Sequence, residues 1–223
     1  MKAVISCKAN ALSGNITVPG DKSISHRVLI LGSIAVGETH VEGLLEGEDV
    51  LAAAAAMRAL GAKISRDDAG LWTVIGCGVG GLHEPDQILD MGNSGTAARL
   101  LMGLVGTQRF TSTFTGDESL NSRPMERVMV PLRQMGAQFT SRSGGRLPIT
   151  VSGSELIKPI EYELPVASAQ VKSAILLAGL NAPGKTTVIE PQPTRDHSER
   201  MLRHFGAEVL TENLNGGGVK ITL

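Results

Sequence analysis

The chain has 223 residues, of which 42% are hydrophobic and 19% charged, enough apolar material for a sizeable core without disulfide or metal staples. A formal charge of -1 gives no general pull toward nucleic acid or acidic membrane surfaces, so any anion site has to be a local cluster of cations. Two cysteines, Cys7 and Cys77, fit no disulfide framework or metal spacing, no apolar run nears the roughly eighteen residues of a membrane span, and the N-terminus lacks a signal-peptide pattern. A reducing, cytoplasmic setting is expected.

In chain order, the pattern repeats three times, over residues 14–76, 84–152 and 159–223. The first unit predicts an apolar helix over 23–35, a β-branched strand over 39–41, a second helix over 48–60, and strands over 63–65 and 71–75. The second unit predicts helices over 95–106 and 123–135 around a strand at 111–115, then strands over 138–141 and 147–151. Pro124 fits the first turn of that second helix. The third unit predicts helices over 168–180 and 196–205 around a strand at 186–189, then strands over 208–211 and 219–223. The phrase Leu60-Gly61-Ala62 returns as Met135-Gly136-Ala137 and Phe205-Gly206-Ala207, each placing glycine where a left-handed residue stops a helix. With a strand before each first helix, every unit reads β-α-β-α-β-β, an α/β fold. The first helices are apolar nearly all round and should be buried, whereas the second are amphipathic, which turns the usual arrangement inside out.

Chemistry concentrates at the starts of the buried helices: Gly20-Asp21-Lys22-Ser23-Ile24-Ser25-His26-Arg27, Gly92-Asn93-Ser94-Gly95-Thr96-Ala97-Ala98-Arg99 and Val166-Ala167-Ser168-Ala169-Gln170-Val171-Lys172. A cation stands four residues after Ser23, Gly95 and Ser168. Free amides and the positive dipole end of a helix favour anions there, and the cations predict pockets for phosphate or carboxylate groups. One such start alone reads as a plain N-cap with a solvated charge; three in parallel favour binding. Arg123 and Arg195 stand before second helices and suit bidentate anion contacts.

Gly179-Leu180-Asn181-Ala182-Pro183-Gly184-Lys185-Thr186 spells the P-loop pattern of nucleotide-binding proteins. Its predicted context is wrong, since it follows a helix and leads into a strand, so a helix-ending turn is the expected structure. A non-catalytic repeat protein that binds partners is a further alternative; it accounts for the repeats but not for the cations.

The quoted helix starts, together with Leu89-Asp90-Met91-Gly92, Arg123-Pro124-Met125 and Thr194-Arg195-Asp196-His197, resemble the signatures of the 5-enolpyruvylshikimate-3-phosphate synthases. That resemblance implies a fold of two similar inside-out domains, each of three such units, with ligands in the cleft toward the helix N-termini. This chain supplies one domain, with residues 1–13 as a strand that packs on the second domain, and is expected to be inactive without it. Lys22, Ser23, Arg27, Ser168, Ala169, Gln170 and Arg195 would hold shikimate 3-phosphate. Lys22, Asn93, Gly95, Arg99 and Arg123 would form the phosphoenolpyruvate site, Lys22 serving as a catalytic cation. Relatives with alanine at the position of Gly95 resist glyphosate. The implied partners are small anionic substrates and the C-terminal half, with no metal, organic cofactor, nucleic acid or membrane.

Overall fold

The computed structural model describes residues 4–223; residues 1–3, part of the expected 1–13 strand, lie outside the described residues. The first unit contains α1 (Lys22–Ile34), β1 (Val36–Val41), α2 (Glu48–Ala59), β2 (Lys63–Arg66) and β3 (Trp72–Cys77). The second contains β4 (Leu89–Asp90), α3 (Gly95–Val105), β5 (Thr111–Thr115), α4 (Glu118–Ser122), α5 (Glu126–Met135), β6 (Gln138–Arg142) and β7 (Arg146–Ser152). The third contains β8 (Glu161–Glu163), α6 (Ala169–Gly179), β9 (Thr187–Glu190), α7 (His197–His204), β10 (Leu210–Asn213) and β11 (Val219–Thr222).

Each unit contributes one sheet, in the orders β1-β3-β2, β4-β5-β7-β6 and β8-β9-β11-β10. The last strands pair antiparallel, as short turns require, whereas β4 and β8 lie parallel to β5 and β9 across a helical crossover. Period-two patterning sets the sheet faces: along β7, Leu147, Ile149 and Val151 are buried and alternate with more exposed residues.

Helices α1, α3 and α6 fill the space between the sheets. Leu100, Leu101, Met102 and Leu104 of α3 are fully buried, each side chain contributing about 1.5–3 kcal/mol of transfer energy. A Cβ on Gly103 would fall 2.3 Å from the Ala174 carbonyl oxygen of α6, so glycine is what lets these two backbones touch. Thr96 meets Gln170 near the helix starts and Gly103 meets Ala174 farther along, which makes α3 and α6 parallel. The outer helix α5 buries Val128, Met129, Leu132 and Met135 and leaves Glu126 and Arg133 in solvent, as its amphipathic pattern predicts.

Two expectations need correction. The first unit has no strand before α1 among the described residues. Val4, Ile5, Leu12, Ile16 and Val18 remain exposed, and Asp21 caps α1 directly after Pro19 and Gly20. The second helix of unit two begins at Glu126, not at residue 123. Pro124 forces Arg123 into an extended conformation (φ -80°, ψ 132°), which ends the short α4 and keeps residues 123–125 out of α5.

Candidate functional site

Helix α1 starts one residue earlier than expected, at Lys22, with Asp21 as N-cap accepting from the Ile24 amide at 2.8 Å. That amide bond, with the nearby His197 and Arg195, holds the Asp21 carboxyl below the usual range. The Ser23 hydroxyl is thereby released from capping and accepts from Arg195 Nη1 at 3.3 Å. Lys22 is exposed and donates to Asp49 Oδ2 at 3.1 Å, which leaves its other two protons free for a ligand.

Arg27 was expected at the ligand surface but is only 5% exposed. Its guanidinium donates to Ser198 Oγ at 2.7 Å, Ser173 Oγ at 2.8 Å and the Ser23 carbonyl at 2.9 Å. Burial lowers its pKa and the charge of Glu199 opposes that effect. Arg27 thus stands behind Ser23 and ties the first turn of α1 to α6 and α7.

At α3, Ser94 takes the capping position and accepts from the Ala97 amide at 3.2 Å. Asn93 accepts from Arg123 Nη2 at 2.7 Å through its carbonyl and donates to Asp117 Oδ2 at 2.6 Å through its amide. Asp117 also caps α4, and these bonds, the Asn93 side chain first, hold its carboxyl below the usual range. A Cβ on Gly95 would lie 2.6 Å from Arg99 Nη1 and 3.3 Å from Arg123 Nη1, so the missing side chain is what lets two guanidiniums converge. Burial lowers the Arg99 pKa, and repulsion from Arg123 and Arg127 adds to it. An anion placed between these cations would relieve that repulsion.

Arg99 joins the second unit to the third by donating to Gln170 Oε1 at 3.1 Å, while Gln170 Nε2 donates to Thr96 Oγ1 at 2.9 Å. Ser168 caps α6 with a long bond of 3.4 Å from the Val171 amide, and Ala169 offers no side-chain donor. Lys22, Ser23 and Arg195 therefore form one group, and Asn93, Gly95, Arg99, Arg123 and Gln170 another, both built on the N-terminal turns of the central helices.

The sequence pattern misplaced Lys172. Read as a pocket cation, it is 1% exposed and paired with Glu190 and Glu199 inside the third unit. Of the three cations that follow the helix starts by four residues, Arg99 is half-buried beside Gly95 and Arg123, whereas Arg27 and Lys172 are buried. Thr96, Asp117, Ser119, Ser173 and Ser198 were missed; Asp117 alone carried a local signal, as a cap two residues after Thr115 ends β5. No cluster of metal-ligating residues occurs among the described residues.

The P-loop string does not form a P-loop. Gly179 is the last residue of α6, and the segment runs into β9. The amides of Asn181, Ala182 and Thr186 donate to the carbonyls of Ala178, Gly179 and Leu223, so they do not cradle a phosphate.

A family model described as EPSP synthase (3-phosphoshikimate 1-carboxyvinyltransferase) matches residues 7–221. Curated 3-phosphoshikimate 1-carboxyvinyltransferases from Paramagnetospirillum magneticum and Novosphingobium aromaticivorans are 64% identical over 222 residues and 67% identical over 210 residues. These alignments take in 100% and 94% of this chain but 50% and 47% of the relatives, so the chain spans about half the length of the curated relatives it matches. A solved EPSP synthase from Acinetobacter baumannii superposes with a TM-score of 0.87 at 54% identity, over 93% of this chain and 46% of that one. The inside-out α/β architecture, the two groups of cations and polar side chains at the helix starts and the match over residues 7–221 agree, and the chain belongs to the EPSP synthase family.

Proposed function

We propose that this chain forms one wall of the active site of a 3-phosphoshikimate 1-carboxyvinyltransferase, with the catalytic cleft completed by a C-terminal half. In this reading Lys22, Ser23, Arg27, Ser168, Ala169, Gln170 and Arg195 receive shikimate 3-phosphate, with the Arg27 guanidinium held by Ser173 and Ser198 next to Ser23. Asn93, Gly95, Arg99 and Arg123, with Lys22, receive phosphoenolpyruvate. The observation that carries the proposal is a set of three bonds: Arg195–Ser23 joins the start of α1 to the connection before α7, Arg99–Gln170 joins α3 to the start of α6, and Arg27–Ser173 ties α1 to α6.

The chemistry is addition followed by elimination. The 5-hydroxyl of shikimate 3-phosphate gives its proton to a base as its oxygen bonds to C2 of phosphoenolpyruvate, while an acid protonates C3, giving a tetrahedral intermediate. Loss of that C3 proton and of phosphate then restores the double bond and yields the enolpyruvyl ether. Preorganised cations stabilise the carboxylate and phosphate charges through both steps, and Lys22 is the catalytic cation of this wall.

Proton transfer needs a carboxylate and a lysine at the reacting carbons. Three acids beside this surface are already engaged: Asp21 and Asp117 cap helices, and Asp49 pairs with Lys22. The proposal therefore assigns acid–base work to the second half. No helix of the described residues is long and apolar enough to cross a membrane, and a cytoplasmic location belongs to the same proposal. The test is product formation from both substrates: the 223-residue chain alone should give none, and adding the separately made C-terminal half of a close relative should restore it. Turnover by the chain alone would overturn the assignment of the proton-transfer groups.

A further inference from the structure

Lys172 is one of the least exposed charged residues in the fold, and the ligand surface described above does not use it. Burying an ammonium costs several kcal/mol unless each of its protons finds an acceptor. Here the ammonium donates to Glu190 Oε2 at 2.8 Å and to the Arg195 carbonyl at 3.2 Å, and it is ion-paired with Glu199 Oε1 at 2.6 Å. These partners come from the end of β9, from α7 and from the connection between them. Glu190 holds that connection a second time, accepting from Thr194 Oγ1 at 2.6 Å and from the Thr194 amide at 3.4 Å. The backbone at 194 and 195 is thus fixed directly beneath the exposed Arg195 side chain. Next to Glu199, Ser198 is bonded to Arg27, which holds the carbonyl of Ser23, the residue whose hydroxyl meets Arg195.

We propose that Lys172, Glu190 and Glu199 form a buried ionic clamp that positions Arg195 and Ser23 for the anionic ligand. The clamp touches no ligand itself; its members are positioning residues. A packed apolar core could support α7 equally well, but it offers no acceptor or donor for the 194–195 backbone, and the Arg195 side chain would then explore many rotamers before binding. The clamp removes that freedom in advance. This proposal rests on the assignment of Arg195 as a ligand contact.

The test is a double-mutant cycle read by calorimetric titration with shikimate 3-phosphate, at a temperature where circular dichroism shows each variant folded. Thr194→Val, which removes the hydroxyl bond to Glu190 without opening the ion cluster, should weaken binding about tenfold. Thr194→Ser, which keeps the hydroxyl, should bind as the unaltered chain does. In an Arg195→Ala background, Thr194→Val should have no further effect, because the group it positions is gone. Glu190→Gln, where it folds, should follow the same pattern. Additive losses in the double variant, or unchanged affinity in Thr194→Val, would overturn the clamp while leaving the Arg195 assignment intact. Unchanged affinity in Arg195→Ala, or no binding by the unaltered chain, would overturn the underlying assignment and the clamp with it.

Discussion

The two ends of α6 carry strings of similar promise and opposite physical meaning. At its start, Ser168 caps the helix and Gln170 links to Arg99 and Thr96, beneath the positive end of the helix dipole. At its end, residues 179–186 match a phosphate-binding pattern letter for letter, yet the helix presents carbonyls there and the amides of Asn181, Ala182 and Thr186 are spent on backbone carbonyls. Glycine, threonine and lysine attract an anion only when helix polarity and free donors agree. The direction of the chain through the motif decides function, not its composition.

The largest effect expected from breaking this contrast is on stability. Lys172→Met leaves Glu190 and Glu199 buried without their counter-charge and should lower unfolding free energy by about 3–5 kcal/mol. Lys185→Ala, at the exposed loop beyond the other end of the helix, should change it by less than about 0.5 kcal/mol. Urea denaturation of both variants checks the pair.

A second effect depends on pH. His26 in α1 is fully buried, neither ring nitrogen has a hydrogen-bond partner among the described residues, and burial pushes its pKa down from 6.5 to about 4. As pH falls from 6.5 toward 4, the unfolded chain takes up a proton that the folded chain refuses. Stability should therefore fall across that window, by about 3 kcal/mol in all, and should be insensitive to this group above it. Denaturation at a series of pH values should show this slope, and His26→Asn should flatten it.

Gly95→Ala is the smallest and sharpest perturbation. Alanine gains helix propensity over glycine, but its methyl group must displace the Arg99 guanidinium, the mobile end of a flexible side chain. Stability should change by less than about 1 kcal/mol. Titration should instead show weaker binding of phosphoenolpyruvate and glyphosate, because Arg99 and Arg123 can no longer converge.

Much of the fold was legible because its signals are local. The glycines at 61, 136 and 206 end second helices, and the all-round apolar strings of α1, α3 and α6 mark the interior. The strands β4 and β8 were legible only as an expected strand before each first helix, without bounds, since two or three residues carry no periodicity, and α4 was not legible, because it ends at a proline effect read with the wrong sign. The site was legible by residue type but not by depth. Nothing in the spacing distinguishes the half-buried Arg99 from the buried Arg27 and Lys172. That difference comes from Ser198, Glu190 and Glu199, partners distant from them in sequence and brought near only by the packing of β9 and α7.

The most direct test of the central claim is calorimetric titration of the 223-residue chain at low salt with shikimate 3-phosphate and, separately, with ATP. The account predicts saturable binding of shikimate 3-phosphate that weakens at least about tenfold on Arg195→Ala, as expected for loss of a charge-assisted anion contact, and is untouched by Lys185→Ala. Absence of binding at millimolar shikimate 3-phosphate, or ATP binding abolished by Lys185→Ala, would contradict it.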